Sequence, residues 1–260
     1  MAAASSRGSF ALTSADRGIL TELLASARVV DADGNELPLH SDTSREQCEF
    51  LRGLIARTDS RSCLEIGLAY GISSLAICDS IFGRAGASFV SIDPYQSAHW
   101  RNIGLLNLDR AGFSPIVEFH GRHSHEVLPE LLAGGRRLDF AYVDTSKIFD
   151  VVMVDAFFLV RLLKVGGVVV FDDCAWPGVT KLVRYLARWP HLEVFATHGP
   201  VREATPRRLG SILTKAIPSR DRVFRQELVK TDEEMGISAS CVAFRKTAED
   251  SRSWDWSLHP

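Results

Sequence analysis

Residues 63–77 read CLEIGLAYGISSLAI, and the succession of residue types within them decides how the chain folds. An apolar run beginning at Cys63 has the character of a buried strand ending in Glu65. A turn with Gly67 and Gly71 follows, and a helix is predicted from about Ile72. Glycine at both positions lets the backbone bend sharply and approach a ligand closely. The start of the helix offers unpaired N–H groups, which favour an anionic group such as a carboxylate. Glycines also join strand to helix in many α/β folds, so the turn alone leaves two readings open, a ligand site or a plain connection.

Working outward from this segment, compact apolar stretches recur: SCLEI (62–66), SFVSI (88–92), IVEFH (116–120), LDFAYV (138–143) and GVVVF (167–171). Ten or more helix-compatible residues follow each, a pattern that predicts βαβ units and a parallel sheet covered on both faces. LEVFAT (192–197) and SCVAFRK (240–246) read as two closing strands. The expected fold is therefore α/β, a doubly wound, Rossmann-like sheet of about seven mostly parallel strands with helices on both faces. The helices through GISSLAI, NIGLLNLDRAG and HEVLPELLAGG should stop near glycine. Two helices are expected ahead of the sheet, one after Ser14 and one after Thr43 or Ser44, where Glu46 suits a helix start.

The resulting division is a disordered tail over 1–13, N-terminal helices capping the active site over 14–60, one domain over 61–248, and a C-terminal tail over 249–260. Within the domain, residues 198–236 form a polar stretch with Arg202, Arg207, Arg208, Arg220, Arg222 and Arg225. It reads either as a solvated helical insertion or as a lid.

Bulk properties exclude several classes. The 260 residues suffice for one large core; 46% are hydrophobic and 24% charged, which argues against wholesale disorder. A formal net charge of −2 does not suit a nucleic-acid binder with a broad basic face. No apolar run approaches the roughly 18 residues that a membrane-spanning helix needs, so no membrane partner is expected. Cys48, Cys63, Cys78, Cys174 and Cys241 are scattered, without a C-x-x-C pair, and suggest neither a zinc site nor a disulfide framework. A reducing cytoplasm is the simplest location.

Asp93, at the tip of SFVSI, lies 26 residues after Gly67. An acid at the end of the second strand of a doubly wound sheet can accept hydrogen bonds from both ribose hydroxyls; its plainer role is to cap the following helix. The spacing G-x-x-x-G replaces the dinucleotide fingerprint G-x-G-x-x-G, so a nicotinamide cofactor fits less well. S-adenosyl-L-methionine has no pyrophosphate and does not need the missing glycine.

Glu65-Ile-Gly67-Leu-Ala-Tyr70-Gly71, followed by Ser91-Ile-Asp93, resembles the class I S-adenosylmethionine-dependent methyltransferases. RAGF, GRHSHEVLPELL, LDFAYVDTSK and LLKVGGVVVFDDCAWPG are similar to the catechol and caffeoyl-CoA type O-methyltransferases and to bacterial macrolide-sugar O-methyltransferase relatives, over roughly residues 42–186. The resemblance implies that Gly67 and Gly71 line the methionine moiety and that Ser73 reaches its carboxylate. It implies that Glu65 orients the turn or meets the amino group, and that Asp93 holds the ribose. Pro94 or Tyr95 would pack on the adenine, which Ser124 and His125 would also contact. Tyr70 and Asp144 would complete the cofactor site.

Asp144, Asp172 and Asp173 follow two further strand tips, and ligands of open α/β sheets bind beyond the carboxyl ends of the strands. Three close acids repel unless a positive group intervenes or one is protonated. A hard ion such as Mg²⁺ suits carboxylate oxygens, although the pair can equally form a turn before Trp176-Pro177. The related metal-dependent enzymes carry Asp, then an Asp-Asn pair, so Asp173 departs from the pattern. Lys147, in D-x-x-K with Asp144, is by resemblance the base toward the acceptor hydroxyl. Trp176 and His40 are candidates for the acceptor pocket, with Trp100 and His123 behind them.

The expected function is transfer of a methyl group from S-adenosyl-L-methionine to a small-molecule hydroxyl with Mg²⁺ assistance, by an enzyme whose relatives suggest a homodimer. Alternatives are a metal-independent methyltransferase, an enzyme like the cephalosporin hydroxylases on the same fold, a non-catalytic cofactor binder, and a nicotinamide oxidoreductase.

Overall fold

A computed structural model describes residues 18–40, 43–200, 230–253 and 255–256. The expected tail over 1–13 and most of the arginine-rich stretch over 198–236 lie outside them. The described residues open with α1 (Ile19–Ser26), a hairpin of β1 (Arg28–Val30) and β2 (Glu36–Pro38), and α2 (Arg45–Arg57). Ser44 caps α2, its side chain accepting a hydrogen bond from the Gln47 N–H at 3.2 Å. The hairpin stands where only helices were expected. Its strands have three residues each, too short to show a period, and its turn is set by Asp31, whose Oδ1 accepts from the N–H groups of Asp33 and Asn35.

The main sheet comprises β3 (Ser62–Ile66), β4 (Ser88–Ile92), β5 (Val117–His120), β6 (Leu138–Val143), β7 (Leu163–Phe171), β8 (Leu192–His198) and β9 (Cys241–Lys246). Their order is β5-β4-β3-β6-β7-β9-β8; the first five are mutually parallel, and β9 runs antiparallel to both of its neighbours. Between them run α3 (Ile72–Ile81), α4 (Ile103–Arg110), α5 (Ser124–Ala133), α6 (Phe149–Leu162) and α7 (Pro177–Leu186). The doubly wound sheet of seven strands agrees with the sequence reading. So do the glycine stops: Gly83, Gly112 and Gly135, just beyond α3, α4 and α5, all have positive φ.

Two apolar clusters cover the two faces of the sheet. One joins α1, α2 and α3 to residues such as Cys63, Phe89, Phe140 and Tyr142; the other joins α5, α6 and α7 to Leu64, Val90, Ala141 and Phe171. Successive strand residues go to opposite clusters because side chains alternate along a strand. Among the described residues, no helix is long and apolar enough to cross a membrane. All five cysteines are buried and free.

Candidate active site at the carboxyl edge of the sheet

The parallel register delivers the site. Ile66 pairs with both Ile92 and Val143, and Val143 pairs with Phe171, so the next residue of each strand is Gly67, Asp93, Asp144 or Asp172. These four stand side by side, each backbone N–H donating to the adjacent strand tip: Gly67 to Ile92 O at 2.9 Å, Asp93 to His120 O, Asp144 to Ile66 O and Asp172 to Val143 O at 3.0 Å. Strand pairing thus brings residues far apart in sequence to one edge.

The glycine turn is shaped by close approach. Gly67 has φ +100°, and a Cβ there would overlap the carbonyl oxygen of Asp144 and lie 2.9 Å from its carbonyl carbon. Gly71, at φ +83°, begins α3 with no side-chain cap, so the first N–H groups of the helix point outward without an intrahelical partner. Asp93 binds the turn directly. Its Oδ2 accepts from Leu68 N at 3.1 Å, Ala69 N at 3.0 Å and Gln96 Nε2 at 2.9 Å; its Oδ1 accepts from Tyr95 N at 2.8 Å. Asp93 thus organises both the glycine turn and the chain after β4.

Glu65 is completely buried and accepts hydrogen bonds from the hydroxyls of Ser73 and Ser74. The Ser73 hydroxyl is therefore turned into the protein toward Glu65. Burial pushes the Glu65 carboxyl up to about 8, with Asp144 and Asp93 adding to the rise and the two serines opposing it. The folded chain accordingly holds a proton there that the unfolded chain releases near 4.5. Stability should fall as pH rises from about 5 to 8, at up to about 1.4 kcal/mol per pH unit from this group. Glu65→Gln removes the contribution, and urea unfolding of both proteins at the two ends of that range should show the difference between them change; a constant difference would count against it.

Aromatic residues gather beside the turn. His40 lies edge-on to Tyr70 at 5.3 Å and stacks toward Trp100 at 6.2 Å, while Tyr70 and Trp100 meet at 5.0 Å. Tyr95, expected against an adenine with Pro94, stacks on His99 at 4.9 Å and meets His123 edge-on. His123 stacks in turn on His125, next to Ser124 at the start of α5. Trp176 is exposed and precedes α7, its N–H bonded to Asp173 O.

The rim carries its own cation. Lys147 Nζ lies 2.7 Å from Asp144 Oδ1 and 3.0 Å from Asp173 Oδ2. Burial favours the neutral amine, but the two carboxylates outweigh it and raise the Lys147 pKa. Asp144 is also raised, by burial first and then by Asp172 and Asp173 against the pull of Lys147. So held, Lys147 is favoured as the ammonium by the two carboxylates beside it.

Asp172 has a different environment. Its Oδ2 accepts from Tyr142 Oη at 2.6 Å and from Gln47 Nε2; its Oδ1 accepts from Asp173 N at 2.7 Å and Cys241 Sγ at 3.1 Å. These four donors fill the acceptor positions of a carboxylate. Of the expected Mg²⁺ ligands, Asp144 and Asp173 thus meet at the Lys147 Nζ while Asp172 is engaged by other donors, and no group of three or more metal-binding side chains forms among the described residues. As arranged, they do not fit a divalent ion.

Gln47, Tyr142 and Cys241 had not been singled out from the sequence. Gln47 ties α2 to the rim across 125 residues of chain, and no local pattern announces such a contact.

Residues 64–174 match the family model described as a methyltransferase domain. The caffeoyl-CoA O-methyltransferase of Stellaria longipes is 31% identical over 137 residues, 52% of this chain and 54% of that protein. The chain spans about half the length of the curated relatives it matches. Among solved structures, O-methyltransferase TomG of Streptomyces achromogenes, involved in tomaymycin synthesis and bound to S-adenosylmethionine, superposes with TM-score 0.57 at 20% identity, covering 80% of this chain and 82% of that one. The O-methyltransferase of Bacillus cereus bound to S-adenosylhomocysteine gives 0.56 at 22% identity over 68% and 82%. At these identities the structures establish a shared fold.

Proposed function

We propose that residues 64–174, which match a methyltransferase domain model, bind S-adenosyl-L-methionine and that the chain transfers its methyl group to a hydroxyl of a small molecule. One observation carries this reading: the Gly67–Gly71 turn and Asp93 lie at the same edge of the sheet, joined by hydrogen bonds from Leu68 and Ala69 to one carboxylate oxygen. The start of α3 then takes the cofactor carboxylate, and the free capacity of Asp93 Oδ1 takes a ribose hydroxyl. Ser124 and His125 are assigned to the adenine, Tyr70 to the cofactor site, and His40 and Trp176, with Trp100, to the acceptor side.

The chemistry is a displacement at carbon. An acceptor oxygen forms a bond to the methyl group as the carbon–sulfur bond breaks, and the sulfonium takes the electron pair to leave as a neutral thioether. Alignment of oxygen, carbon and sulfur by a preorganised site can be worth about 7–11 kcal/mol of the barrier. The acceptor must also lose a proton. We assign that proton to Asp144, whose Oδ2 has no hydrogen bond among the described residues, while the Lys147 ammonium stabilises the developing negative charge on oxygen. No step passes through a metal ion.

The first test is calorimetric titration of S-adenosylhomocysteine into the purified chain, followed by transfer of labelled methyl to caffeoyl-CoA and simpler catechols as probes. One-to-one binding and labelled product are expected; absence of S-adenosylhomocysteine binding would overturn the proposal. Lys147→Met should lower turnover by about 10²–10³-fold, the scale of losing one charge-stabilising group. The same variant should bind S-adenosylhomocysteine about as well as the wild type. A parallel loss of affinity would instead place Lys147 in the cofactor site.

A further inference from the structure

The rim presents a charge problem. Asp144, Asp172 and Asp173 lie on neighbouring strand ends, and such a group is relieved by protonation of one acid, by an ion taken from solution or by a cation the chain supplies. We propose that Lys147 is the resident cation of this site and that methyl transfer here proceeds without a divalent metal. The proposal deepens the methyltransferase reading and rests on it.

Three observations carry it. Lys147 Nζ bridges Asp144 and Asp173 at 2.7 and 3.0 Å, the position between two carboxylates from which an ion would neutralise them. The backbone of its loop is held from both sides by residues without a side chain. A Cβ on Gly67 would overlap Asp144 O; one on Gly178, in α7, would overlap Lys147 O and lie 3.0 Å from Phe149 N. Asp172 is saturated by Tyr142, Gln47, Cys241 and the Asp173 N–H. Mg²⁺ demands near-octahedral oxygens at about 2.0–2.1 Å, so it would have to expel the ammonium and break buried hydrogen bonds to Asp172. Residue 173 tips the balance. An asparagine there offers a neutral oxygen and leaves the lysine one carboxylate; Asp173 gives it a second.

Titration of Mn²⁺ into the full chain, with and without S-adenosylhomocysteine, tests the assignment. The wild type should show no stoichiometric uptake up to about 1 mM, the weak end of specific affinity. Lys147→Met, which leaves the carboxylates without their cation, should bind one Mn²⁺. Asp173→Asn, a milder change that keeps the lysine, should bind it at least tenfold more tightly than the wild type. One-to-one uptake by the wild type that disappears in Asp144→Asn would overturn the proposal. So would failure of both gain-of-binding variants, folded as judged by circular dichroism, to take up the ion. Loss of S-adenosylhomocysteine binding with the Mn²⁺ pattern as expected would fault the cofactor reading alone and leave the assignment of the cation standing.

Discussion

Gly67→Ala should abolish measurable binding of S-adenosylhomocysteine and destabilise the fold by about 3 kcal/mol or more, the range of substitutions that combine backbone strain with overpacking. The added methyl would overlap the carbonyl oxygen of Asp144, and neither group has a rotamer with which to escape. Relief requires β3 and β6 to part, or the turn to swing away from the edge where the cofactor would lie. Gly166 supplies the control. Its φ is +91°, close to that of Gly67, yet nothing lies within 4 Å of a Cβ built on it. Gly166→Ala should therefore show backbone strain alone, about 1–2 kcal/mol, with cofactor affinity intact. Chemical denaturation and calorimetry of the pair separate strain from collision. Equal losses in the two variants would show that the contact with Asp144 does not matter.

Asp93→Ala should cost at least 100-fold in affinity for S-adenosylhomocysteine, about 2.7 kcal/mol, together with a clear loss of stability. The substitution deprives Leu68 N, Ala69 N, Tyr95 N and Gln96 Nε2 of their acceptor in a place water barely reaches. An orphaned buried donor costs roughly 1–3 kcal/mol, less where water can enter the space vacated, so a fall of about 3 kcal/mol in unfolding free energy is expected. Asp93→Asn keeps one acceptor oxygen but turns an amide N–H₂ toward donors or toward the ribose, and should lie between wild type and Ala in both measurements. Full affinity in a destabilised Asp93→Ala protein would reduce the residue to a brace for the turn and remove it from the cofactor site.

The strands, the glycine turn and the acid after the second strand were legible because their signals are local. A run of apolar residues commits to a buried strand wherever it lies, and a positive φ demands glycine whatever surrounds it. The closing strands over 192–198 and 241–246 were likewise visible, as was the helix start at Ser44. The hairpin at 28–38 was overlooked although D-x-D-G-N marked its turn, because three-residue strands with mixed burial carry no period to count.

The side-chain partnerships were not legible in the same way. From the sequence, Ser73 was expected to face a ligand, Lys147 to act as a base and the three aspartates to share an ion. In the folded chain Ser73 bonds to the buried Glu65, Lys147 is ion-paired with Asp144 and Asp173, and Asp172 is taken up by Tyr142, Gln47 and Cys241. The chain's linear pattern was enough to establish a parallel sheet and to put Gly67, Asp93, Asp144 and Asp172 at strand ends, since propensity and burial act over a few residues. Which donor meets which carboxylate awaited the folded arrangement, because a charge or hydrogen bond acts over a few ångströms of space and residues 125 positions apart in the chain become neighbours only when the sheet closes.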